Sequence, residues 1–438
     1  MDERKRDIQG VGLSLLNRFA GSEVVDKLGL RKPAEKALYQ ASKASFGAAS
    51  MARRRFKSVS QRLRPERMER AGDGGDLFDL TPSDEQAMMQ EAARRFAEEV
   101  LRPAAHDAEA HAEPSKDVWS AAHELGLAMM AVPEALGGAG AERSAVTSGL
   151  VAEQLGWGDP GQACALLAPV GVAHALACWG DAAQQDRYLR AFAEDTPPDA
   201  ALALLEPAAA FDAAHPGCRA ERQGNNWIVT GEKALVPLGP FADLLIVGAD
   251  CEGLGPRLLL VETRDERVLQ TPEPGMGLRA ASLGRVQLHG VVLGDDAVLG
   301  DADSYAQAID LARLAWCSLA VGCAQAVLDL VGPYVTERQA FGEPIAYRQG
   351  VAFTVADMAI EVDAMRLMTW RALARHDAGL EFHREAVLAH RYCAEHAMQL
   401  GSDGVQMLGG HGFVTEYPVE RWYRDLRALG IMEGGLLA

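Results

Sequence analysis

Residues 406–420 read Gln406-Met-Leu-Gly-Gly-His-Gly-Phe-Val-Thr-Glu-Tyr-Pro-Val-Glu420, with three glycines between positions 409 and 412. A helical pattern precedes this stretch. The glycines either end that helix or expose a backbone without side chains, which a ligand can approach closely. The stretch alone leaves both interpretations open, and other motifs of the chain must decide between them.

A second stretch, Thr336-Glu-Arg-Gln-Ala-Phe-Gly-Glu-Pro-Ile345, lies earlier in the chain and is followed by Gln349. An arginine ahead of a Phe-Gly turn can place its guanidinium on a phosphate while the aromatic ring packs beside a ring system. The alternative is an exposed arginine and a core phenylalanine at a helix end. A third motif, Arg424-Asp425 followed by Ile431-Met-Glu-Gly434, lies near the end of the chain.

The spacing of apolar residues changes twice along the chain. It is helical from Thr81, with Ser83 at a helix start, to about Glu194. From about residue 200 to 300 short apolar runs bounded by Gly, Pro or Asp predict strands, and from Ser304 onward the helical pattern returns. The predicted strands contain Trp227–Thr230, Leu244–Val247, Leu258–Val261 and Val286–Val292. The apolar run from Leu314 to Gly332 predicts a buried helix rather than a membrane span.

Taken in order, these motifs resemble those of the acyl-CoA dehydrogenases, which carry E-R-x-x-F-G-x-x-I…Q, Q-x-L-G-G-x-G-[YF]…E-Y-P-V-E and R-D…I-x-E-G. The order of helices, strands and helices is also that of the family. The resemblance covers Leu80 to the C-terminus. It implies a mainly α fold with a β domain: a helical domain at 76–198, a middle antiparallel β-barrel or sandwich at 199–302, and a helical bundle at 303–438.

The resemblance also implies a cofactor and an assembly. FAD is the expected cofactor, bound through its adenine-diphosphate half and partly across a subunit interface, so a homo-oligomer, a dimer or tetramer, is expected. The implied cofactor-binding residues are Arg338, Phe341, Gln349, Gln406, Gly409, Gly410 and Gly434.

Glu433 is the catalytic base that the resemblance implies. Dehydrogenation of an acyl thioester requires a base for the α-proton and an acceptor for the β-hydride, and a carboxylate desolvated by an apolar pocket is a stronger base. In some branches of the family the base lies on an earlier helix, where this chain has Ala312. Arg313 resembles the family's arginine near the active site, although an ion pair with Asp310 is an equally good interpretation.

The middle domain departs from the family pattern. The family's T-E-P-x-A-G-S-D is replaced by Leu205-Glu-Pro-Ala-Ala-Ala-Phe-Asp212, and K-x-W-I-T-N by Lys233-Ala-Leu-Val-Pro-Leu238. Several groups that hydrogen-bond the flavin are lost, at about 1 kcal/mol each. Phe211 would narrow the region where substrate enters, and Phe211 and Asp310 are the expected substrate-binding residues.

Charge separates the N-terminal extension from the rest of the chain. Residues 1–75 contain 17 Lys and Arg against 9 Asp and Glu, whereas the whole chain has a net charge of −18. A helix from Pro33 to about Lys57 and a linker at Ala71–Asp76 are predicted there. Two functions of the extension remain open: a structural arm, or a surface that contacts anionic lipid or a protein partner. The acidic remainder of the chain argues against general nucleic-acid binding.

Seven scattered cysteines and no secretory signal favour a cytoplasmic protein. His383, His390 and His396 share one predicted helix, but their spacing does not suit metal ligands.

The first hypothesis is an acyl-CoA dehydrogenase of fatty acid metabolism that forms trans-2-enoyl-CoA and passes electrons to an electron-transfer flavoprotein. The second is a degenerate subunit that completes the FAD site of an active paralogue. The third is another flavin reaction on the same scaffold.

Overall fold

The computed structural model describes residues 81–138, 144–194 and 196–432. The predicted basic helix at Pro33–Lys57, the linker at Ala71–Asp76, Glu433 and Gly434 therefore lie outside the described residues.

Ser83 begins the N-terminal helical part. Its hydroxyl accepts from the backbone N–H of Gln86, and the Gln86 side chain accepts from the Ser83 N–H, which together form a capping box. The predicted helix start is thereby confirmed. The helices are α1 (Asp84–Phe96), α2 (Arg102–His111), α3 (Lys116–Glu124), α4 (Ala145–Gly158), α5 (Pro160–Trp179) and α6 (Ala182–Tyr188), and the π-helical turn Ala97–Leu101 joins α1 to α2.

The middle part is an eight-stranded sheet. The strands are β1 (Ala200–Ala203), β2 (Arg219–Gln223), β3 (Asn226–Val236), β4 (Leu244–Cys251), β5 (Gly255–Glu262), β6 (Val268–Pro272), β7 (Gly284–Leu293) and β8 (Val298–Leu299). Their order in the sheet is β6-β7-β3-β2-β4-β5-β8, and β1 pairs with β4 off this path. The four predicted apolar runs lie in β3, β4, β5 and β7, as expected.

The sheet is mixed rather than purely antiparallel. Ala200 to Ala203 pair in parallel with Leu244 to Val247, and β2 also runs parallel to β4. A long connection containing two other strands separates β1 from β4, and such a crossover permits parallel pairing whereas a tight hairpin enforces antiparallel pairing. The expectation of an antiparallel sheet is wrong at these two pairs.

Strand β4 shows why the sheet has two buried faces. Leu244 and Ile246 belong to the main core shared with the helices, whereas Leu245 and Val247 belong to a second core within the β domain. Alternate side chains of a strand point to opposite faces, so the continuous apolar run is what a strand buried on both faces requires.

The C-terminal part contains four long helical elements and a small hairpin. Asp301 caps the first helix, which confirms the predicted return to helical structure near Ser304. The helices are α7 (Ala302–Glu337), α8 (Gln349–Asp377), α9 (His383–Leu408) and α10 (Val419–Leu429), and the hairpin of β9 (Gln339–Ala340) and β10 (Glu343–Pro344) joins α7 to α8.

Helices α4 and α7 cross at glycines. A Cβ on Gly156 would lie 2.5 Å from the Leu319 carbonyl oxygen, and a Cβ on Gly322 would overlap the Glu153 carbonyl. Two helices within the described residues, α5 and α7, are apolar and long enough to span a membrane, but 72% and 67% of their most apolar windows are buried. The predicted assignment of the Leu314–Gly332 run to a buried helix agrees with this packing.

Candidate active site

Helices α4, α5 and α7 meet strands β1 and β3 around a cavity of about 270 Å³, here called the apolar cavity. Its walls come from all three parts of the fold. On the β-domain side the cavity is lined by Leu205, Leu235 and Pro237. We call these three residues the ring-end wall, because they replace the family residues expected beside the flavin ring. Facing residues include Ala312 and Trp316 of α7 and Met432, the last described residue.

Within the described part of the chain no Lys, Arg, Asp or Glu lines the apolar cavity, whereas two histidines, His174 and His376, do. The hydroxyls that do line it already have partners: Ser144 donates to Asp377 at 2.7 Å, Ser148 to the Ser144 carbonyl at 3.2 Å and Ser318 to the Leu314 carbonyl at 3.0 Å. A carboxylate that enters such a site exchanges water for apolar surface, and its pKa rises as a result.

The predicted base, Glu433, lies just beyond the described residues. Met432 precedes it directly, is 2% exposed and lines the apolar cavity. Ala312 lines the same cavity, so the alternative base position of the family presents only a methyl group there. The role of Glu433 stays a prediction, but the main chain that leads to it ends in the wall of this cavity.

Arg313 does not line the apolar cavity. Its Nη1 lies 3.8 Å from Oδ1 of Asp310, its Nε is buried without a hydrogen-bond partner, and it is absent from the cavity walls. Oδ2 of Asp310 in turn lies 2.8 Å from Nδ1 of His383, and burial raises the pKa of Asp310. Of the two interpretations left open by the sequence, the ion pair is the contact that the structure contains.

Phe211 is also absent from the cavity walls. Its side chain is 6% exposed and belongs to the main core. Because Phe211 does not line the apolar cavity, no contact there supports its predicted role in narrowing the substrate entry. Asp310 does not line the cavity either, so no contact there supports its predicted role in substrate binding. Phe211 belongs to the main core and Asp310 contacts His383 of α9, and sequence spacing could not distinguish these places from the cavity itself.

A second, more open cavity of about 960 Å³ lies where α7 and α9 end. The Tyr334 hydroxyl donates to the Leu408 carbonyl at 3.3 Å and so ties the two helix ends together. Five of the predicted cofactor residues line this cavity, together with Arg348, and no acidic side chain does so among the described residues. The five are Arg338, Phe341, Gln406, Gly409 and Gly410.

The local backbone explains the motif residues of the second cavity. Phe341 and Gly342 form the tip of the β9–β10 hairpin with φ of 56° and 86°, and the phenyl ring is 97% exposed. Gly409 adopts φ 59° and ψ −129°, which side chains disfavour, and a Cβ on Gly409 or Gly410 would meet no atom within 4 Å. A ligand can therefore contact this backbone directly.

Gln349 differs from the other predicted cofactor residues. It is exposed at the first position of α8 and is not among the residues that line the second cavity. Its contact with a cofactor stays a prediction.

The Arg-Asp motif has a structural explanation. Asp425 is buried and accepts from the backbone N–H of Leu278 at 2.6 Å, and burial raises its pKa to about 8. Arg424 contacts Glu109 at 2.5 Å and Glu420 at 2.9 Å. The motif therefore fastens α10, and with it the chain that leads to Met432, to α2 and to the β domain.

Three side chains that line the apolar cavity were not identified from the sequence: His174 of α5, Trp316 of α7 and His376 of α8. A place in a cavity formed by several elements leaves no local pattern in the sequence. His390, which sequence spacing compared with His383 and His396 as a metal ligand, is buried on α9, and burial lowers its pKa to about 4. No group of three metal-ligating side chains occurs in the ranges that the structure describes.

Comparison with known proteins identifies the class. Family models of the acyl-CoA dehydrogenase N-terminal, middle and C-terminal domains match residues 83–196, 201–291 and 303–435. The chain belongs to the acyl-CoA dehydrogenase family. It is accordingly an FAD-dependent oxidoreductase.

The relatives include different chemistries. The rat mitochondrial short-chain specific acyl-CoA dehydrogenase is 31% identical over 358 residues, which are 79% of this chain and 86% of that protein. The 3-(aryl)acrylate reductase of Clostridium sporogenes is 28% identical over 366 residues, 80% of this chain and 95% of the relative. Butyryl-CoA dehydrogenase from Megasphaera elsdenii superposes with a TM-score of 0.75 at 26% identity, over 82% of this chain and 97% of that one.

The two cavities fit FAD unequally. The second cavity, with two arginines, bare glycine backbone and no acidic wall residue, fits the negatively charged diphosphate half. The ring-end wall offers apolar surface to a planar ring but no side-chain hydrogen-bond donor, and Pro237 also lacks a backbone N–H. The residues present would therefore hold the diphosphate half by charge and the ring by apolar contact.

Proposed function

We propose that the chain dehydrogenates an acyl-CoA thioester to the trans-2-enoyl-CoA, with Glu433 removing the proton from Cα. The observation that supports this most directly is the apolar cavity, whose wall contains Met432 immediately before Glu433 and Ala312 at the alternative base position. The substrate loses a proton from Cα and a hydride from Cβ. FAD, when bound, supplies the hydride acceptor.

The surroundings suit Glu433 for this task. Since no described Lys or Arg lines the apolar cavity and most of its surface is apolar, a carboxylate there loses water without gaining a permanent counter-charge, which raises its pKa and its affinity for the substrate proton. The acyl chain would displace water from the same walls. Binding of substrate would therefore strengthen the base.

The spectrum of the bound flavin tests the proposal. Purified protein is expected to be yellow, and an anaerobic titration with acyl-CoAs of increasing chain length should bleach it. Glu433→Gln should keep the flavin and lose the bleaching. Protein that is yellow but is bleached by no acyl-CoA, or bleaching that survives in Glu433→Gln, would contradict the proposed reaction or the proposed base.

A homo-oligomer, a dimer or tetramer, is part of the proposal. Phe353, Ile360 and Leu367 recur every seven residues along α8 and are 64%, 62% and 45% exposed. Such a row on a soluble protein is typical of a contact surface. Light scattering should give a mass above that of one chain, and Ile360→Glu should reduce it. We also propose an electron-transfer flavoprotein as the acceptor, tested by reduction of that protein in the presence of acyl-CoA.

A second function is favoured by the ring-end wall. Because Leu205, Leu235 and Pro237 give the ring no side-chain donor, the chain could serve as a subunit that completes the site of an active paralogue through its second cavity. Protein that stays colourless after incubation with FAD would support this function and reject the first for the isolated chain.

A further inference from the structure

Trp316 is the largest side chain that α7 contributes to the wall of the apolar cavity. The other α7 residues in this wall are alanines, leucines and a serine. The indole packs against the main core, and its Nε1 is buried without a hydrogen-bond partner among the described residues. The accessible part of the ring therefore consists of carbon atoms, and it presents an apolar surface to the cavity.

One end of the apolar cavity, here called the buried end, is closed. Helices α4 and α5 meet at Asp159, and close to this turn Gly156 packs against the main chain of Leu319 in α7. Ala152, Cys164 and Leu319 line the cavity near the turn, and all three residues are buried. A ligand therefore does not enter the cavity from this side.

The opposite end, here called the open end, is accessible. Cys178 lines it, is exposed, and lies about 21 Å from Cys164 along the axis of α5. His376 lines the same end, because the adjacent Asp377 accepts from Ser144 at the start of α4, and 29% of the His376 side chain is exposed. The polar coenzyme A part of a thioester keeps its water at this end, whereas the acyl chain gains by leaving water. The acyl chain therefore points toward the buried end.

Trp316 lies on the path of such a chain. Ala312, at the family's alternative base position, lies one helical turn before it on the same face of α7, and Leu319 lies about one turn after it. Side chains on a helix lean toward its N-terminus, so the indole leans toward the level of Ala312. Cβ atoms one turn apart are separated by about 5–6 Å, the length of about four C–C bonds in an extended chain. A straight acyl chain with its second carbon beside Ala312 therefore meets the indole at about its sixth carbon.

We propose that Trp316 limits the length of the acyl chain, and that the substrates are short acyl-CoA thioesters with about four to six acyl carbons. The inference rests on the proposed function, in which the reacting carbons lie beside Ala312. A longer chain has to displace an indole that the main core holds, and a packed core resists added volume. Without the indole, the chain can extend to the buried end of the cavity.

Trp316→Ala in the FAD-loaded protein tests this inference, with butyryl-CoA and decanoyl-CoA as probes. The second-order rate constant of flavin bleaching by the wild type should be at least about 100-fold lower with decanoyl-CoA, since one misplaced methylene alone can cost about tenfold or more. Trp316→Ala should raise the decanoyl-CoA value by at least about 30-fold and change the butyryl-CoA value by less than about tenfold. The substitution breaks no hydrogen bond to a described residue.

Two further variants complete the comparison. Trp179→Ala is the matched control, because Trp179 also lines the apolar cavity but lies beside Cys178 at the open end. Its preference for butyryl-CoA should remain that of the wild type. Trp316→Val removes less volume, so it tests the same limit if Trp316→Ala does not fold, and it should admit a longer chain than the wild type does.

Calorimetric binding of acyl-CoAs from butyryl-CoA to decanoyl-CoA gives a second readout that needs no turnover. Each methylene that becomes buried should lower Kd roughly fourfold, so the wild-type series should level off near about six carbons and the Trp316→Ala series should keep falling. A series that levels off at the same length in both proteins, or a wild type that is bleached equally by both probes, would overturn the inference. Yellow wild-type protein that no acyl-CoA bleaches would instead reject the proposed function, while the binding series still decides the role of Trp316.

Discussion

Nζ of Lys233 lies 2.7 Å from Oε1 of Glu206, and the lysine side chain is fully buried. Nζ also donates to the Leu204 carbonyl at 3.2 Å, while Glu206 accepts from the backbone N–H groups of Gly217 and Cys218 at 2.8 and 2.9 Å. The pair thus joins β3 to the segment that follows β1 and to the loop before β2. The segment after β1 supplies Leu205 of the ring-end wall, and the end of β3 with the residue after it supplies Leu235 and Pro237.

Lys233→Met should destabilise the protein by about 3–5 kcal/mol, because it leaves a buried carboxylate without its counter-charge. The free energy of unfolding, measured by urea titration, checks this. Arg219→Met is the control: its pair with Asp250, at 3.4 Å, is exposed, and its loss should cost at most about 1 kcal/mol. Equal losses in the two variants would contradict the assignment of the Lys233–Glu206 pair as a structural clamp.

Pro237→Thr and Leu205→Thr should each tighten FAD binding, because each returns a hydroxyl to the ring-end wall. A hydrogen bond worth about 1 kcal/mol corresponds to roughly a fivefold lower dissociation constant. Equilibrium dialysis of FAD against the apoprotein measures it. Leu254→Thr, at an exposed position of the β domain, serves as the control, and affinities that match the control in both variants would argue against ring contact at this wall.

Thioesters with a terminal carboxylate should be poor substrates. The described walls of the apolar cavity contain no Lys or Arg, so a carboxylate on the acyl chain would be buried without a permanent counter-charge. We expect glutaryl-CoA to bleach the flavin at least about 100-fold more slowly than the uncharged pentanoyl-CoA, the equivalent of about 3 kcal/mol. Comparable rates for the two thioesters would show that a cation reaches the acyl chain.

The base should be movable to α7. Since Ala312 and Met432 line the same cavity, Ala312→Glu combined with Glu433→Gln places a carboxylate in the same apolar surroundings and should recover measurable bleaching. The rate should stay at least about tenfold below that of the wild type, because the residues around position 312 are not arranged to orient a carboxylate. The control double variant carries Ala306→Glu, exposed on the same helix, and should stay inactive. Recovery in the control would mean that the assay does not report on the cavity.

His390 should make the free energy of unfolding depend on pH in the acidic range. Its pKa is lowered to about 4 from the ordinary value of 6.5, so the unfolded chain binds the proton more readily than the folded one. The stabilising contribution is present above pH 6.5 and is lost as the pH falls towards 4, by up to about 3 kcal/mol. The difference in unfolding free energy between the wild type and His390→Asn, measured from pH 4 to 7.5, isolates this change from the titration of the carboxylates. A difference that does not change with pH would contradict the buried neutral ring.

Much of the architecture could be predicted because it depends on neighbouring residues. Apolar spacing of 3.6 or 2 residues identified the helices and the four main strands, and Ser83 followed by Asp84 and Glu85 marked a helix start. The motif residues Arg338, Phe341, Gln406, Gly409 and Gly410 also lie together as expected. The family resemblance implied this set of residues, and the adjacent ends of α7 and α9 with the β9–β10 hairpin bring them together.

Contacts between distant segments could not be predicted in the same way. The parallel pairing of β1 with β4, the place of Phe211 in the core and the exposed position of Gln349 each depend on how whole elements pack. The hydrogen bond between Asp425 of α10 and the backbone N–H of Leu278 in the β domain joins residues far apart in the sequence and leaves no periodic trace.

The sequence by itself determined the family, the three-part order of elements and Glu433 as the predicted base, because motifs and periodicity are written in adjacent residues. Only the tertiary structure decided that Arg313 pairs with Asp310 outside the apolar cavity and that Arg424 and Asp425 fasten α10 to α2 and to the β domain. The physical reason is that burial and hydrogen-bond partners are properties of packed elements. A residue's chemistry is known from the sequence, but its surroundings are known only once the chain is folded.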